Sequence, residues 1–159
     1  MEKIYVGKII NTFGIKGELK IASDFDCPEK VFTLDNTIFI NDKKHTITSV
    51  RKHQEHYLVC IDNLDNINLV LKYKGFKIYV LRDDLNLNQD EYLIGDLLNM
   101  EVLEDNQSFG KVTEVINEPI NPLIKINNLF YIPLKANYIE KVDTKTKTIH
   151  TKNIKELIL

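Results

Sequence analysis

The groups in this chain that could carry catalysis or hold a metal are its four histidines, its two cysteines and a few close carboxylate pairs. His53-Gln54-Glu55-His56 places two imidazoles close together. The zinc-protease pattern works because a helix brings positions i and i+4 to one face. Here the spacing is one residue shorter, the pattern around it reads as strand-turn-strand, and no third ligand is near, so the segment reads as an exposed turn and no metal is assigned. His45 and His150 each stand alone in a strand pattern and read as structural. Asp24/Asp26 and Asp83/Asp84 lie in turn-like segments without a basic neighbour to tune them, which makes them solvated loops rather than an acid-base pair. Cys27 and Cys60 are far apart and flanked by apolar residues, the pattern of reduced thiols rather than of a disulfide framework. No Ser-His-Asp or Cys-His set is suggested by spacing. The chain therefore reads as no enzyme and calls for no cofactor.

Near the start, NTFGIKGELKI (Asn11 to Ile21) sets Gly14 and Gly17 around an Ile-Lys pair. A phosphate-binding P-loop needs more glycine and a Lys-Ser/Thr pair opening a helix, so that loop amides and the helix N-terminus meet the anion. Here Gly17 opens a strand. The Gly-x-x-Gly loop of KH domains lies between helices, whereas this one joins KIYVGKII to ELKIAS. What remains is a β-β connection in which both glycines accept backbone angles closed to other residues, Ile15 packs down, and Thr12, Phe13 and Lys16 are offered as contact groups.

Two exposed features follow. Lys8, Lys16, Lys20, Arg51 and Lys52 lie in or beside hairpins of the first half, where they either make an ordinary solvated charged face or form a patch for a nucleic-acid backbone. Farther along, EYLIGDLL (Glu91 to Leu98) is an aromatic and aliphatic cluster directly after a polar stretch. Such a cluster either seals a domain junction or forms a docking surface.

The elements that must position these groups are almost all strands. KIYVGKII, ELKIAS, NTIFIN, HTITSVR, YLVCID and KIYVL carry β-branched and aromatic residues with partial alternation, about six strands in roughly eighty residues, the spacing of a small barrel. The segment from Asp65 to Gly75 breaks the rhythm. It sets Ile67, Val70 and Leu71 on one helical face, with Asp65 in the capping region and Gly75 after the C-terminus, and predicts one short helix. After Leu81 the composition turns polar, and strand signals then resume in MEVLED, KVTEVIN, LIKINN, FYIPL, IEKVD and TIHTK. The fold expected is all-β: two small β-barrels in tandem over 1–82 and 92–159, joined by a linker at 83–91.

Of the 159 residues 43% are hydrophobic, enough for either one ordinary domain or two small ones. A net charge of −2 with a pI near 6.1 gives no whole-molecule field for nucleic acid, so any RNA contact must be local. Positive character is concentrated in the first half. Met1 to Tyr5 runs straight into alternation without an apolar leader, and no stretch approaches the ~18 apolar residues of a membrane span. A soluble cytoplasmic protein is expected. The abundance of Ile, Lys and Asn reads as coding bias, without functional content.

Taken together, several stretches resemble one family. VGKIINTFGIKGELKI is similar to the opening hallmark of the bacterial RimM ribosome maturation factors, VG-x-I-x-G-T-H-G-I-K-G-E-V-K-V, and NINLVLKYKGFKIYVLRDDL to the helix-Gly-strand passage ending their first domain. In the second half, EYLIGDLLNMEV, FGKVTEVINEPINPLIKI and FYIPLKANYIEKVDTKTKTIHTK resemble the start, the Gly-Lys-Val hairpin and the final strands of the family's PRC-barrel domain. Coverage is nearly the full chain, in order. The resemblance implies an N-terminal six-stranded RimM barrel followed by a PRC-like barrel. It implies a non-enzymatic factor that binds the immature small ribosomal subunit, assists processing of 16S rRNA and assembly of the subunit head, and docks on small-subunit ribosomal protein number nineteen, acting as a monomer.

On that resemblance Thr12, Phe13, Lys16, Lys20, Arg51 and Lys52 become RNA or ribosome contacts, Tyr92 and Leu93 become protein contacts, and Gly14 and Gly17 shape the turn. The chain departs from the family pattern at Asn11, Phe13, Leu93 and Asn99, which stand for Gly, His, the second residue of a Tyr pair and Gly. Asn tolerates left-handed backbone best after Gly, so Asn11 and Asn99 are expected to keep their turns. Phe13 can stack on a base but cannot donate a hydrogen bond or protonate. Leu93 keeps apolar area without a ring or hydroxyl. The competing classes are a PRC-barrel adaptor for another client and a small enzyme on the same scaffold, which would need a pocket of convergent polar groups.

Overall fold

The computed structural model describes residues 2–158 and divides into two compact units, 1–86 and 87–159. The first unit is built from β1 (Lys3–Phe13), β2 (Glu18–Ala22), β3 (Thr37–Ile40), β4 (Lys43–His53), β5 (His56–Ile61) and β6 (Lys77–Leu81). They close into a barrel in the order β1-β2-β5-β4-β3-β6. Alternation sets the inside: Leu19 and Ile21 of β2 and Ile78 and Val80 of β6 are fully buried, while the residues between them are not. Val6, Ile9, Ile38, Ile40, Ile47, Val59 and Ile61 complete the core. Closing so small a sheet needs sharp bends, and the register slips that supply them fall at Ile9/Asn11 and Tyr5/Gly7 of β1 and at Ile47/Ser49 of β4.

Two short helices stand outside the sheet, α1 (Pro28–Val31) and α2 (Ile67–Val70). The sequence pattern yields only the second. Four residues are too few for a helical period, and α1 is marked only by Pro28 in its first turn. α2 is capped by Asn66, whose side chain accepts from the Asn68 N–H at 2.9 Å. Val70 is buried but Leu71 is half exposed, because the chain tightens into a 3-10 turn at Leu71–Tyr73 and loses the face that a continuous helix would share.

The second unit contains β7 (Glu101–Glu104), β8 (Gln107–Ile116), β9 (Leu123–Ile126), β10 (Phe130–Pro133), β11 (Ile139–Asp143) and β12 (Thr148–Thr151), in the order β10-β9-β8-β7-β12-β11. It is a curved half-barrel. β8 makes the corner: Gln107 to Lys111 pair with β7, and Val112 to Ile116 pair with β9. β7 and β12 run parallel. Leu97, Met100, Val102, Val112, Ile124, Ile126, Phe130, Ile132, Ile149 and Ile154 form its core.

Asparagine turns out to have structural content. The two-residue loops Asn41-Asp42 and Asp105-Asn106 have φ of 52° and 62°, and of 50° and 65°. Positive φ at both positions is the requirement of a type I′ hairpin, and Asn and Asp are the side chains that tolerate it best. Asn99 likewise has φ 68°. Asn11 does not act this way. It lies within β1, where its Oδ1 accepts from the Thr12 N–H at 2.9 Å.

Candidate functional site

The turn between β1 and β2 is held by its own glycines and by a neighbouring loop. Gly14 and Gly17 have φ of 66° and 86°. A Cβ at Gly17 would lie 2.3 Å from the Leu64 carbonyl oxygen, so this position needs glycine for space as well as for angle. The Ile67 N–H donates to the Ile15 carbonyl at 2.9 Å and ties the turn to the start of α2. Ile15 does not pack down as the sequence suggests. It is 75% exposed, since the backbone between the two glycines lifts it away from the core.

Next to this turn, four residues from three strands converge. Phe13 ends β1 directly opposite Glu18, which starts β2. β5 separates β2 from β4, with Lys20, Leu58 and Arg51 in register across the three strands. The Arg51 side chain reaches back over this row: its Nε and Nη2 donate to the two carboxylate oxygens of Glu18 at 2.8 and 2.9 Å. Its guanidinium carbon is 5.5 Å from the Phe13 ring centroid. On the same ring sits His53, centroids 4.9 Å apart. The hydrogen bonds from Arg51 hold the Glu18 carboxyl below its ordinary range, helped by the charge of Arg51 and, less, by His53 and Lys16. Reciprocally, Glu18 raises Arg51 further above its usual value.

Lys52 is adjacent. Its ammonium lies 5.5 Å from the ring of Tyr57, its cross-strand neighbour. Tyr57 in turn packs on Phe32 at 4.9 Å, and burial pushes its phenol upward. Lys16 sits exposed on the turn and Lys20 is partly exposed on β2. Among the described residues neither forms an ion pair with a side chain. Thr12 is partly exposed beside Phe13. The predicted residues thus lie on β1, β2 and β4 and, for Lys16, on the turn, and they are not equivalent: Arg51 is paired with a carboxylate, and Lys16 and Lys20 are not. Sequence reading missed Glu18 and His53. The alternation of β2 could have put Glu18 on the face of Lys20, but its partnership with Arg51, 33 positions away, depends on strand order.

In the second unit Tyr92 is 38% exposed and Leu93 is buried at 7%. The two diverge because the Leu93 N–H donates to Asp96 Oδ2 at 2.9 Å, fixing the chain at the start of a 3-10 turn over Ile94–Leu97. Leu98, beyond that turn, is again half exposed. Among the described residues no group of three His, Cys, Asp or Glu could hold a metal ion, and no helix is long and apolar enough to cross a membrane.

Known proteins are similar to this sequence over most of its length. Residues 4–85 match the family model of the RimM N-terminal domain. A ribosome maturation factor RimM from Staphylococcus haemolyticus is 32% identical over 92% of this chain and 93% of its own. One from Exiguobacterium sp. is 38% identical over 72% of this chain and 70% of its own. The solution structure of the N-terminal domain of RimM from Thermus thermophilus aligns with 54% of this chain and 95% of that one, with 15% identity and a TM-score of 0.47. With the first-domain model matched across the whole barrel and relatives matched across both units, the chain belongs to the RimM family.

Proposed function

We propose that this protein is a non-enzymatic ribosome maturation factor that binds the immature small ribosomal subunit and assists 16S rRNA processing and assembly of the subunit head. The observation that carries this reading is kinship through both units, at 32% identity over 92% of the chain, with relatives named as ribosome maturation factors. Two features of the first barrel support it: cations without acidic side-chain partners among the described residues at Lys16 and Lys20, and aromatic groups on the same barrel at Phe13, with Arg51 and His53, and at Tyr57, with Lys52. Phosphate contacts and aromatic faces are two of the means by which proteins hold RNA. Thr12, Phe13, Lys16, Lys20, Arg51 and Lys52 are assigned to this contact. The second unit is assigned to small-subunit ribosomal protein number nineteen, with Tyr92 as anchor, because an exposed aromatic residue buries a large face and still hydrogen-bonds at its tip. Leu93, the other residue assigned to this contact, is buried at 7% and offers little surface of its own. The setting is the cytoplasm and the working form a monomer.

Titration of the purified protein against isolated immature small subunits, mature small subunits and large subunits tests the reading. Saturable binding is expected with immature small subunits, weaker binding with mature ones and none with large subunits. Equal affinity for all three particles would refute it.

A further inference from the structure

Arg51 of the first barrel is held by a carboxylate through two hydrogen bonds. Both Arg51 donors that face Glu18 are used in a bidentate pair, and the two opposite charges cancel at close range. A phosphate arriving at Arg51 would have to displace a carboxylate already in the best geometry a guanidinium can have. Lys16 and Lys20 have no such competitor among the described residues. Phosphate recognition is therefore assigned to the lysines, and Arg51 needs another role.

Its surroundings define that role. The Arg51 side chain is 53% exposed although its fork is tied down. The Phe13 ring lies 5.5 Å from it, and the His53 ring is 4.9 Å from Phe13, tilted to it by 53°. Three flat groups thus cluster at a strand end, with the Arg51 guanidinium exposed and held in one orientation by Glu18. A guanidinium is planar, delocalised and weakly hydrated, and its face stacks on other flat rings. Bases within a duplex already stack on each other and are closed to such a surface, whereas an unpaired base is free to take it.

We propose that Arg51, Phe13 and His53 form a stacking platform for an unpaired nucleobase, with Glu18 as the positioning residue that cancels the charge of Arg51 and fixes its plane. This rests on the RNA-binding reading above and narrows it: the ligand of this corner is the base of a single-stranded segment, and the phosphates on either side belong to Lys16 and Lys20. Glu18 and His53 acquire roles that a simple basic patch would not give them. A patch selected only for phosphate affinity would gain from an uncharged residue in place of Glu18.

The test uses the full chain, a short single-stranded oligouridine, and an abasic oligonucleotide of the same length and phosphate number, titrated across a range of salt. The intact protein is expected to bind oligouridine about tenfold or more tighter than the abasic strand, within the range of a single base-stacking contact. Phe13→Leu keeps apolar bulk without a ring, and Arg51→Lys, at an exposed position, keeps charge without a plane. Each is expected to remove most of that preference and to leave the salt slope unchanged. Glu18→Gln frees the Arg51 charge and is expected to steepen the slope by about 0.7. Equal binding of the two strands, or variants with parental melting temperatures that keep the full preference, would overturn the platform while binding to small subunits stood. Loss of both oligonucleotide and small-subunit binding in the parent protein would overturn both readings.

Discussion

Gly14 and Gly17 look interchangeable in the sequence, yet they carry different loads. Both have positive φ, but only Gly17 would drive a Cβ into backbone, at 2.3 Å from the Leu64 oxygen, while nothing lies within 4 Å of Gly14. Gly14→Ala should therefore cost about 1 kcal/mol, the conformational strain alone. Gly17→Ala should cost more, on the order of 2 to 4 kcal/mol, since loop 64–67 must also move. Thermal melts measure both, and equal losses would contradict the difference in contact. Glu18 gives a pH signature. Its carboxyl is lowered in the folded state by Arg51, so the stabilisation is complete above the unfolded value of about 4.3 and is lost as pH falls through the lower, folded value. Melts of parent and Arg51→Gln should differ at neutral pH and converge in acid; a gap that widened on acidification would oppose the assignment. Phe13 was legible as a stacking group because its ring is plain in the sequence. Its partners were not, since Arg51 and His53 reach it only through the order of four strands.

At the scale of elements, strands were the legible part, because alternation of buried and exposed residues follows directly from the pleat. In β2 and β6 it is nearly ideal. α1 was not legible for want of length, and the Leu71 face was misread because a 3-10 turn rotates side chains faster than an α-helix. Asparagine as background was the other misreading: in Asn41-Asp42 and Asp105-Asn106 it sets hairpin register. The cap of α2 offers a check on local structure. Asn66→Ala removes the acceptor for the Asn68 N–H and should cost about 1 kcal/mol in a thermal melt, whereas Asp65→Ala should cost little. The hairpin lysines are proposed to act together as a phosphate contact. Replacing Lys16, Lys20 and Lys52 with Gln should flatten the salt dependence of RNA binding by roughly 0.7 per lost contact, with folding intact. An unchanged slope would return them to a solvated surface.

For the molecule as a whole, each unit has its own core, one enclosed by the barrel and one within the half-barrel. Two tandem units could be read from the polar stretch that follows Leu81, because strand signals stop and restart around it. What the second unit touches could not be read from pattern, since an apolar cluster looks the same whether it packs or docks. The structure separates the two residues by exposure: Tyr92 is open and Leu93 is covered. Tyr92→Ala is accordingly expected to weaken binding to small-subunit ribosomal protein number nineteen by about 2 kcal/mol, the scale of an interface hot spot, as read by titration calorimetry.

The proposed function requires that this chain engage the small subunit while it is still immature. Recovery of the tagged protein from growing cells of its own species, with sequencing of the bound RNA and mapping of its ends, tests that most directly. The expected result is 16S rRNA with unprocessed ends, enriched over both mature 16S and 23S rRNA, together with small-subunit head proteins. Recovery of mature 16S and 23S rRNA in the proportions of the whole extract would contradict it.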